Sequence, residues 1–246
     1  MDTVSRFPEI DATRGVAILM MVTFHAVFDL YFFRIAPVNV STGFWFVFAR
    51  ATASLFLLIV GVSLVVSHAR AEERLSGLPL TMKFLKRGAG IFALGLLVTL
   101  ATWLYLRDGF IIFGILHLIG VSVMLSVFFF RLGKYNILLG LLCIAGGFFI
   151  GSLQGPWWLL PFGIMPASFS SVDYTPLIPW FGAVLIGMGA GEFLYSGGIR
   201  RFSPPRMPAR IVAPLSMLGR YSLIIYLVHQ PVIILLLGAV TGTKVL

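Results

Sequence analysis

The chain has 246 residues, of which 59% are hydrophobic and only 11% are charged, and its mean hydropathy is +1.01. A soluble domain carries roughly 25% charged residues, so this composition excludes a water-soluble globular protein and indicates a protein covered by lipid. The net charge of +9 does not indicate a nucleic-acid-binding protein, because the basic residues lie in short clusters between apolar runs.

Seven apolar segments are long enough to cross a membrane, since a transmembrane helix needs about 20 residues. In chain order they cover residues 12–33, 42–67, 85–106, 110–130, 135–153, 176–195 and 219–241. The predicted fold is therefore all-α, a polytopic transmembrane helix bundle of about seven spans in one domain, 1–246. The fifth span holds the single cysteine, Cys143, so neither an intrachain disulfide nor a cysteine-based metal site is expected, and no metal site is predicted.

Two segments between these spans are not predicted to cross the membrane. Residues 154–175 contain three prolines, which break helices, and the pair Trp157 and Trp158 is typical of a membrane interface. Residues 210–218 precede the last span and are predicted to form a short interfacial helix. Both segments are therefore expected to lie at a membrane surface.

Basic residues are distributed unevenly between the two sets of connections. The N-terminus and every second connection carry Arg6, Arg14, Arg70, Arg74, Lys83, Lys86, Arg87, Arg131, Lys134, Arg200, Arg201, Arg206 and Arg210. The opposite connections carry only Arg34, Arg107 and Lys244. Because cytoplasmic loops are enriched in lysine and arginine, the N-terminus is predicted to be cytoplasmic and the C-terminus, after an odd number of spans, to be outside.

The first predicted span carries a polar stripe on an otherwise apolar helix. Arg14 and His25 are eleven residues apart, about three helical turns, so they share one face. Asp11 lies three residues before Arg14, and Asp29 lies four residues after His25, which places both on the same face. A charged side chain at the bilayer centre costs at least about 2.5–3.5 kcal/mol, so this face is predicted to point into the bundle.

Further titratable groups lie inside other predicted spans. Three different helices place one such group, His25, Arg50 or His117, roughly 10–13 Å from the outer end of the span. His229 lies near the middle of the last span, and Asp173 lies in an outer loop. A pocket with two or three histidines, a carboxylate and an arginine has the parts for general-base chemistry with oxyanion stabilisation.

Structural alternatives remain open for each of these groups. His25 and Asp29 can form a self-contained pair at i, i+4, with Arg50 as a counter-ion. His117 can serve helix packing, and His229 can satisfy carbonyls that the next proline frees. Glu192 and Arg220 can pair near the inner surface. The basic cluster of Lys83, Lys86 and Arg87, like Arg14, serves either orientation and lipid contact or the binding of a phosphorylated cofactor.

Several motifs resemble those of a known enzyme family. The run IDATRGVAIL at residues 10–19, followed by Phe24 and His25, resembles the opening of transmembrane acyltransferases, in which an arginine and a histidine recur at this spacing. Five further segments are similar to the heparan-α-glucosaminide N-acetyltransferase catalytic-domain family and its prokaryotic relatives. They are SLFLLIVG (54–61), FLKR (84–87), FGILH (113–117), DYTPLIPW (173–180) and GRYSLIIYLVHQP (219–231).

This resemblance implies transfer of an acyl group, typically acetyl from acetyl-CoA, across the bilayer to a sugar-like acceptor outside. It implies a location in the cytoplasmic membrane of a prokaryote. The cofactor phosphates would be bound by Arg14, Lys83, Lys86, Arg87 and Arg220. His25, oriented by Asp29, would be the base or acyl carrier, assisted by His117 or His229, and the acceptor would face Arg50, Asp173 and Trp180.

Two other functional classes compete with this interpretation. A proton-coupled transporter would also use intramembrane His, Asp and Arg, but the matching broken helices expected in two halves of a transporter are absent from the sequence. A seven-helix retinal protein is disfavoured, because all four lysines, Lys83, Lys86, Lys134 and Lys244, lie near surfaces. A homodimer stays open, since Gly187 and Gly191 can pack helices either within or between protomers.

Overall fold

The computed structural model describes residues 6–204 and 207–242. Over these ranges the chain forms eight α-helices: α1 Pro8–Phe32, α2 Gly43–Glu72, α3 Gly77–Leu106, α4 Ile115–Phe129, α5 Asn136–Ile150, α6 Leu177–Leu194, α7 Ala209–Arg220 and α8 Ser222–Thr241. No β-strand occurs within the same ranges, so the all-α prediction is confirmed. Arg206 and Lys244, which contribute to the charge asymmetry of the sequence, lie outside the described residues.

Six helical stretches of the described chain are long and apolar enough to cross a membrane, and one of them, Ile115–Ile150, contains both α4 and α5. At Gly133, between these two helices, φ is 50° and ψ is −124°, which is not helical. Near the start of α4 the carbonyl of Phe113 accepts a hydrogen bond from Thr175, while Gly147 near the end of α5 approaches Pro179. Both far ends therefore lie beside one segment, so the chain reverses at Gly133, in agreement with about seven spans.

The helix bounds differ most from the predicted spans at α3 and α4. α3 begins eight residues before the predicted span and includes the sequence GLPLTMKF, in which Pro79 and Lys83 interrupt an apolar run. α4 begins five residues later than predicted. The chain before it instead pairs with the loop 171–175, where Ser171 donates a hydrogen bond to the carbonyl of Phe110 and Val172 to that of Gly109.

The two segments predicted to lie at a membrane surface contain no long apolar helix. Residues 154–175 include one short 3₁₀ helix, Trp157–Phe162, and the side chains of Trp157 and Trp158 are 57% and 71% exposed. The Tyr174 hydroxyl donates a 2.7 Å hydrogen bond to the Leu160 carbonyl and closes this segment on itself. The other segment is α7, a twelve-residue helix as predicted.

The chain divides into two compact units. The terminal unit comprises Met1–Phe56 and Pro204–Leu246, and the central unit comprises Leu57–Ser203. In the terminal unit α7 lies directly on α1, because a Cβ at Gly219 would overlap the Asp11 carbonyl and one at Gly15 would overlap that of Leu215.

In the central unit the second part of α2 packs on α6 through small residues. A Cβ on Gly187 would overlap the Leu58 carbonyl, and a Cβ on Gly191 would lie 3.1 Å from the Cα of Val62. Glycine allows this close approach of two backbones, as is common between membrane helices. These two glycines therefore pack helices within the protomer, which answers the question that the sequence left open for them.

Candidate active site

Two histidines of the terminal unit lie against each other, one on α1 and one on α8. The ring centroids of His25 and His229 are 4.7 Å apart, and the rings meet edge to face. The Nδ1 atom of His25 is 2.9 Å from the Met21 carbonyl oxygen, and the Nδ1 atom of His229 is 2.6 Å from the Tyr226 carbonyl oxygen. The main chain of each helix thus fixes the orientation of its own imidazole.

These hydrogen bonds determine which nitrogen of each neutral imidazole is basic. A carbonyl oxygen only accepts hydrogen bonds, so Nδ1 carries the proton in both rings and Nε2 keeps its lone pair. The Nε2 atom of His229 is buried and has no hydrogen-bond partner among the described residues. The pair therefore presents two imidazole bases, one of which is withheld from solvent.

Asp29 is bound to Gln230, the residue that follows His229. The Gln230 amide donates to both carboxylate oxygens of Asp29, at 2.7 and 2.8 Å, and Asp29 is 1% exposed. Asp29 does not orient His25 through a direct hydrogen bond, as the resemblance implied, because the Nδ1 proton of His25 goes to the main chain. Asp29 instead ties α1 to α8 one turn from the histidine pair. The sequence analysis gave no role to Gln230, which lies within the motif GRYSLIIYLVHQP (219–231).

A second polar cluster of the terminal unit lies at the start of α1 and the end of α7. Arg14 donates a 2.9 Å hydrogen bond to one oxygen of Asp11, and the Arg220 guanidinium lies 3.6 Å from the other oxygen. The Arg14 side chain is 20% exposed and that of Arg220 is 50% exposed. Two cations on one carboxylate leave a net positive charge, which suits the binding of a further anion.

The arginine cluster and the histidine pair share one face of α1. Arg14 and His25 are eleven residues apart on this straight run of helix, which corresponds to about 16 Å along the axis. Arg50, also in the terminal unit, is exposed at the side-chain level, and its guanidinium lies 4.5 Å from the Phe46 ring centroid. The structure thus brings together His25 with His229, Asp29 with Gln230, and Arg14 with Arg220.

The central unit contains the other predicted site residues, and two of them meet at the start of α4. His117 accepts a 3.2 Å hydrogen bond at Nδ1 from the Gly114 amide, and its Nε2 atom is 3.4 Å from the Thr99 hydroxyl. Asp173 accepts a 3.1 Å hydrogen bond from the Ile115 amide. Gly114 is the N-cap residue of α4, and His117, three residues later, binds its amide as the N3 residue of a capping box does. Asp173 binds the next amide, which has no partner within the helix.

Burial raises the pKa of the Asp173 carboxyl to about 6, and the hydrogen bond from Ile115 opposes this shift only in part. The next residue is affected in the same way, since burial raises the pKa of the Tyr174 hydroxyl to about 12. Asp173 therefore titrates in the range where many enzymes act.

The remaining predicted residues lie on α3 and α6 of the central unit. Lys83, Lys86 and Arg87 are exposed on the second and third turns of α3, and the Lys83 ammonium lies 5.8 Å from the Phe84 ring centroid. Trp180 lies in the first turns of α6. The described residues contain no group of three or more His, Cys, Asp or Glu side chains that could hold a metal ion.

Comparison with known proteins identifies the family of this chain. Residues 6–231 match the family model described as heparan-alpha-glucosaminide N-acetyltransferase, catalytic. A search of curated proteins and a search of solved structures each found no match. The matched range covers the arginine cluster, the histidine pair and Gln230. The chain therefore belongs to the family of heparan-α-glucosaminide N-acetyltransferase catalytic domains, and it is a membrane protein of an acetyltransferase family.

Proposed function

We propose that the protein transfers an acetyl group from cytoplasmic acetyl-CoA to a sugar-like acceptor on the opposite side of the membrane. The observation that carries this proposal is the His25–His229 pair, whose two Nδ1 atoms are bound to the main chain and whose Nε2 atoms are basic. A positioned imidazole base is the group most often used for proton transfer in enzymes. Family membership supplies the reaction class.

The chemical step needs one base near the acceptor. The acceptor nitrogen or oxygen bonds to the acetyl carbon, its proton passes to an imidazole Nε2, and the carbon–sulfur bond of the thioester breaks. The thiolate of CoA then takes that proton from the imidazolium and leaves as the thiol. His25 is the proposed base and His229 its assistant. In the acyl-histidine variant, Nε2 of His25 bonds to the acetyl carbon first, the carbon–sulfur bond breaks and CoA leaves as the thiolate. The acceptor then bonds to the same carbon, the carbon–nitrogen bond to His25 breaks, and the acceptor proton passes through His229 to the thiolate of CoA.

The proposed binding site for the phosphates of acetyl-CoA is the arginine cluster, which consists of Asp11, Arg14 and Arg220. Phosphate oxygens fit the net positive charge of that cluster. The extended pantetheine arm of CoA is comparable in length to the about 16 Å that separates Arg14 from His25 along α1. A cofactor bound at the arginines would therefore bring its thioester towards the histidines.

The other assignments from the sequence belong to the same proposal. Lys83, Lys86 and Arg87 are proposed as further phosphate contacts, and Arg50, Asp173 and Trp180 as contacts to the acceptor. Assistance by His117 also stays a prediction, and both of its ring nitrogens are already engaged in the fold. The proposed location is the cytoplasmic membrane of a prokaryote, and a homodimer is the proposed assembly to be tested.

The test combines binding and turnover in detergent-purified protein. Acetyl-CoA binding is measured by calorimetry, and transfer of labelled acetyl is measured with glucosamine as the acceptor probe. We expect Arg14→Ala to weaken binding at least about tenfold, or about 1.4 kcal/mol, because a charge-assisted contact to phosphate is lost. We expect His25→Ala and His229→Ala to keep binding but to lower transfer by about 10²–10⁴-fold, the usual range for loss of a general base.

Arg74→Ala is the matched control, since Arg74 is an exposed arginine on the same predicted side of the membrane, and it should leave both quantities unchanged. His117→Leu tests the assisting role. If His117 only supports the fold, its loss should lower thermal stability without lowering transfer per folded molecule. A folded sample that binds no acyl-CoA would contradict the proposal. Proton-coupled transport in proteoliposomes under a pH gradient would then be the function to test.

A further inference from the structure

The central unit contains a cavity of about 710 Å³ at the ends of several helices. Its wall comes from the last turns of α2 and α6, the first turns of α3 and the reversal between α4 and α5. This end of the helices is the side predicted to be cytoplasmic. None of the residues assigned above to acetyl transfer lines the cavity, so it is a separate feature of the molecule.

One part of the wall consists of hydrogen-bond acceptors. Glu72 and Glu192 both line the cavity, and His68 lies 3.4 Å from the Glu72 carboxylate. Asn136 also lines it and is 1% exposed, and its Oδ1 atom has no hydrogen-bond partner among the described residues. The amide nitrogen of Asn136 is already bound to the carbonyls of Phe129 and Gly133, so only its acceptor is free for a ligand.

The rest of the wall is largely apolar. Val65, Leu80, Phe84 and Phe128 belong to it, and the His68 ring stacks on the lining residue Phe130 at 3.8 Å between centroids. A buried acceptor that lacks a donor is destabilising, and a ligand that supplies a donor would remove that cost. The wall therefore matches a molecule with a donor at one end and an apolar body.

The charge of the wall decides between a cationic and an anionic head group. The lining contains two carboxylates, those of Glu72 and Glu192, against one permanent cation, Arg131. A head group that is only anionic would be repelled by the two glutamates, whereas an ammonium group would be attracted by both and would donate to Asn136. We propose that this cavity binds an amphiphile with a primary ammonium head group, held by Glu72, Glu192 and Asn136, with its chain along the apolar wall.

Two kinds of molecule have a primary ammonium and an apolar chain: a membrane aminophospholipid and a soluble long-chain amine. The probe is dodecylamine, titrated into detergent-purified full-length protein and followed by thermal unfolding and calorimetry. We expect saturable stabilisation by dodecylamine, and none by dodecanol or dodecyl sulfate at the same concentrations. Glu72→Gln combined with Glu192→Gln should weaken binding at least about tenfold, because two charge-assisted contacts are lost.

Glu73→Gln is the matched control, because Glu73 is exposed beside Glu72 but does not line the cavity, and it should bind as the wild type does. The comparison of the three probes on wild-type protein needs no variant, so it remains decisive if the double variant does not fold. Stabilisation by dodecanol equal to that by dodecylamine, or binding unchanged in the folded double variant, would overturn the proposal.

Competition distinguishes the two sources of the ammonium group. Displacement of dodecylamine by phosphatidylethanolamine, but not by phosphatidylcholine, assigns the cavity to a membrane lipid, because only the first lipid has a primary ammonium. Binding of dodecylamine that neither lipid displaces supports the proposal with a soluble amine as ligand. Equal displacement by both lipids would contradict recognition of the primary ammonium.

Discussion

The Asp29 carboxylate is buried inside the terminal unit, and both of its oxygens accept hydrogen bonds from one amide, that of Gln230. Removal of that amide leaves a buried carboxylate without a donor, which costs more than the hydrogen bond itself contributes. Since the two residues lie on α1 and α8 beside His25 and His229, the same change also frees the two helices to shift. We therefore expect both the stability and the proposed acetyl transfer to depend on Gln230.

We expect Gln230→Leu to lower the free energy of unfolding by at least about 1–3 kcal/mol, the cost of an unsatisfied buried acceptor. Thermal unfolding in detergent measures it. Asp29→Asn should cost less, because the asparagine oxygen still accepts from the Gln230 amide. Gln154→Leu is the control, since Gln154 is an exposed glutamine. Equal effects of Gln154→Leu and Gln230→Leu would show that the Asp29–Gln230 pair does not stabilise the fold.

Asp173 makes stability depend on pH in a direction opposite to that of most carboxylates. Its pKa is raised from 3.8 to about 6 in the folded protein, so between these values the folded state binds more protons than the unfolded state. The free energy of unfolding must therefore fall as the pH rises through this window, and the contribution of Asp173 levels off above pH 6.

We expect Asp173→Asn to remove this part of the pH dependence, because asparagine does not ionise and its oxygen still accepts from the Ile115 amide. The measurement is the unfolding temperature of both proteins between pH 4 and pH 8. The difference between the variant and the wild type should grow with pH up to about 6 and then stay constant. Asp108→Asn, at an exposed position, serves as the control. A difference that does not change with pH would contradict this role of Asp173.

Between elements, the contact of α1 with α7 depends on two glycines. A methyl group on Gly219 would overlap the Asp11 carbonyl, which belongs to the main chain and has little freedom to move. We expect Gly219→Ala to lower the free energy of unfolding by at least about 1–3 kcal/mol, as overpacking does. Thermal unfolding measures the loss, and acetyl-CoA binding should weaken with it because Asp11 and Arg220 lie at this contact.

Gly90→Ala is the matched control for this contact. Gly90 lies inside α3, and a Cβ there would meet nothing within 4 Å, so alanine should be neutral or should stabilise the helix by up to about 1 kcal/mol. If Gly90→Ala lowered stability as much as Gly219→Ala, the loss would come from replacing any helical glycine. The close approach of α1 and α7 would then not explain it.

The sequence predicted the helices well because hydrocarbon imposes a length and an apolar character on each span. The start of α4 was predicted less well. Its position is set by hydrogen bonds from residues 171–175 to the chain before α4, and hydropathy carries no information about such distant pairing. α3 was predicted too short because Pro79 and Lys83 interrupt the apolar pattern of its first two turns, although both residues lie within the helix.

For the site, the spacing of Arg14 and His25 on one helix was readable because the helical period is fixed. The partner of His25 was not, since the pairing with His229 depends on how α1 and α8 pack. The expected pairing of Asp29 with His25 followed from the i, i+4 rule, but the main-chain carbonyl of Met21 competes for the same imidazole proton. Packing between helices thus decided the details that the helical period leaves open.

At the scale of the whole molecule, the unevenly distributed basic residues predict the sidedness of the protein, and this prediction is open to direct test. Replacement of the single cysteine, Cys143→Ser, provides a background without thiols. In that background we expect Asp108→Cys to react with a membrane-impermeant maleimide added to intact cells, because Asp108 lies in a predicted outer connection.

Glu73→Cys, in a predicted cytoplasmic connection, should react only after the cells are opened. Both positions are exposed, so a difference in labelling reports the side of the membrane rather than burial. Labelling of Glu73→Cys in intact cells, with protection of Asp108→Cys, would reverse the assigned orientation and with it the side from which acetyl-CoA enters.

The reversal at Gly133 has a consequence for the surrounding bilayer. α4 and α5 have 15 residues each, which corresponds to about 22 Å, whereas the hydrocarbon core of a typical bilayer is about 30 Å thick. Lipids next to these two helices must shorten or tilt to cover them, so the membrane thins locally on that side of the protein. Lipids with short acyl chains should accordingly be enriched beside these two helices.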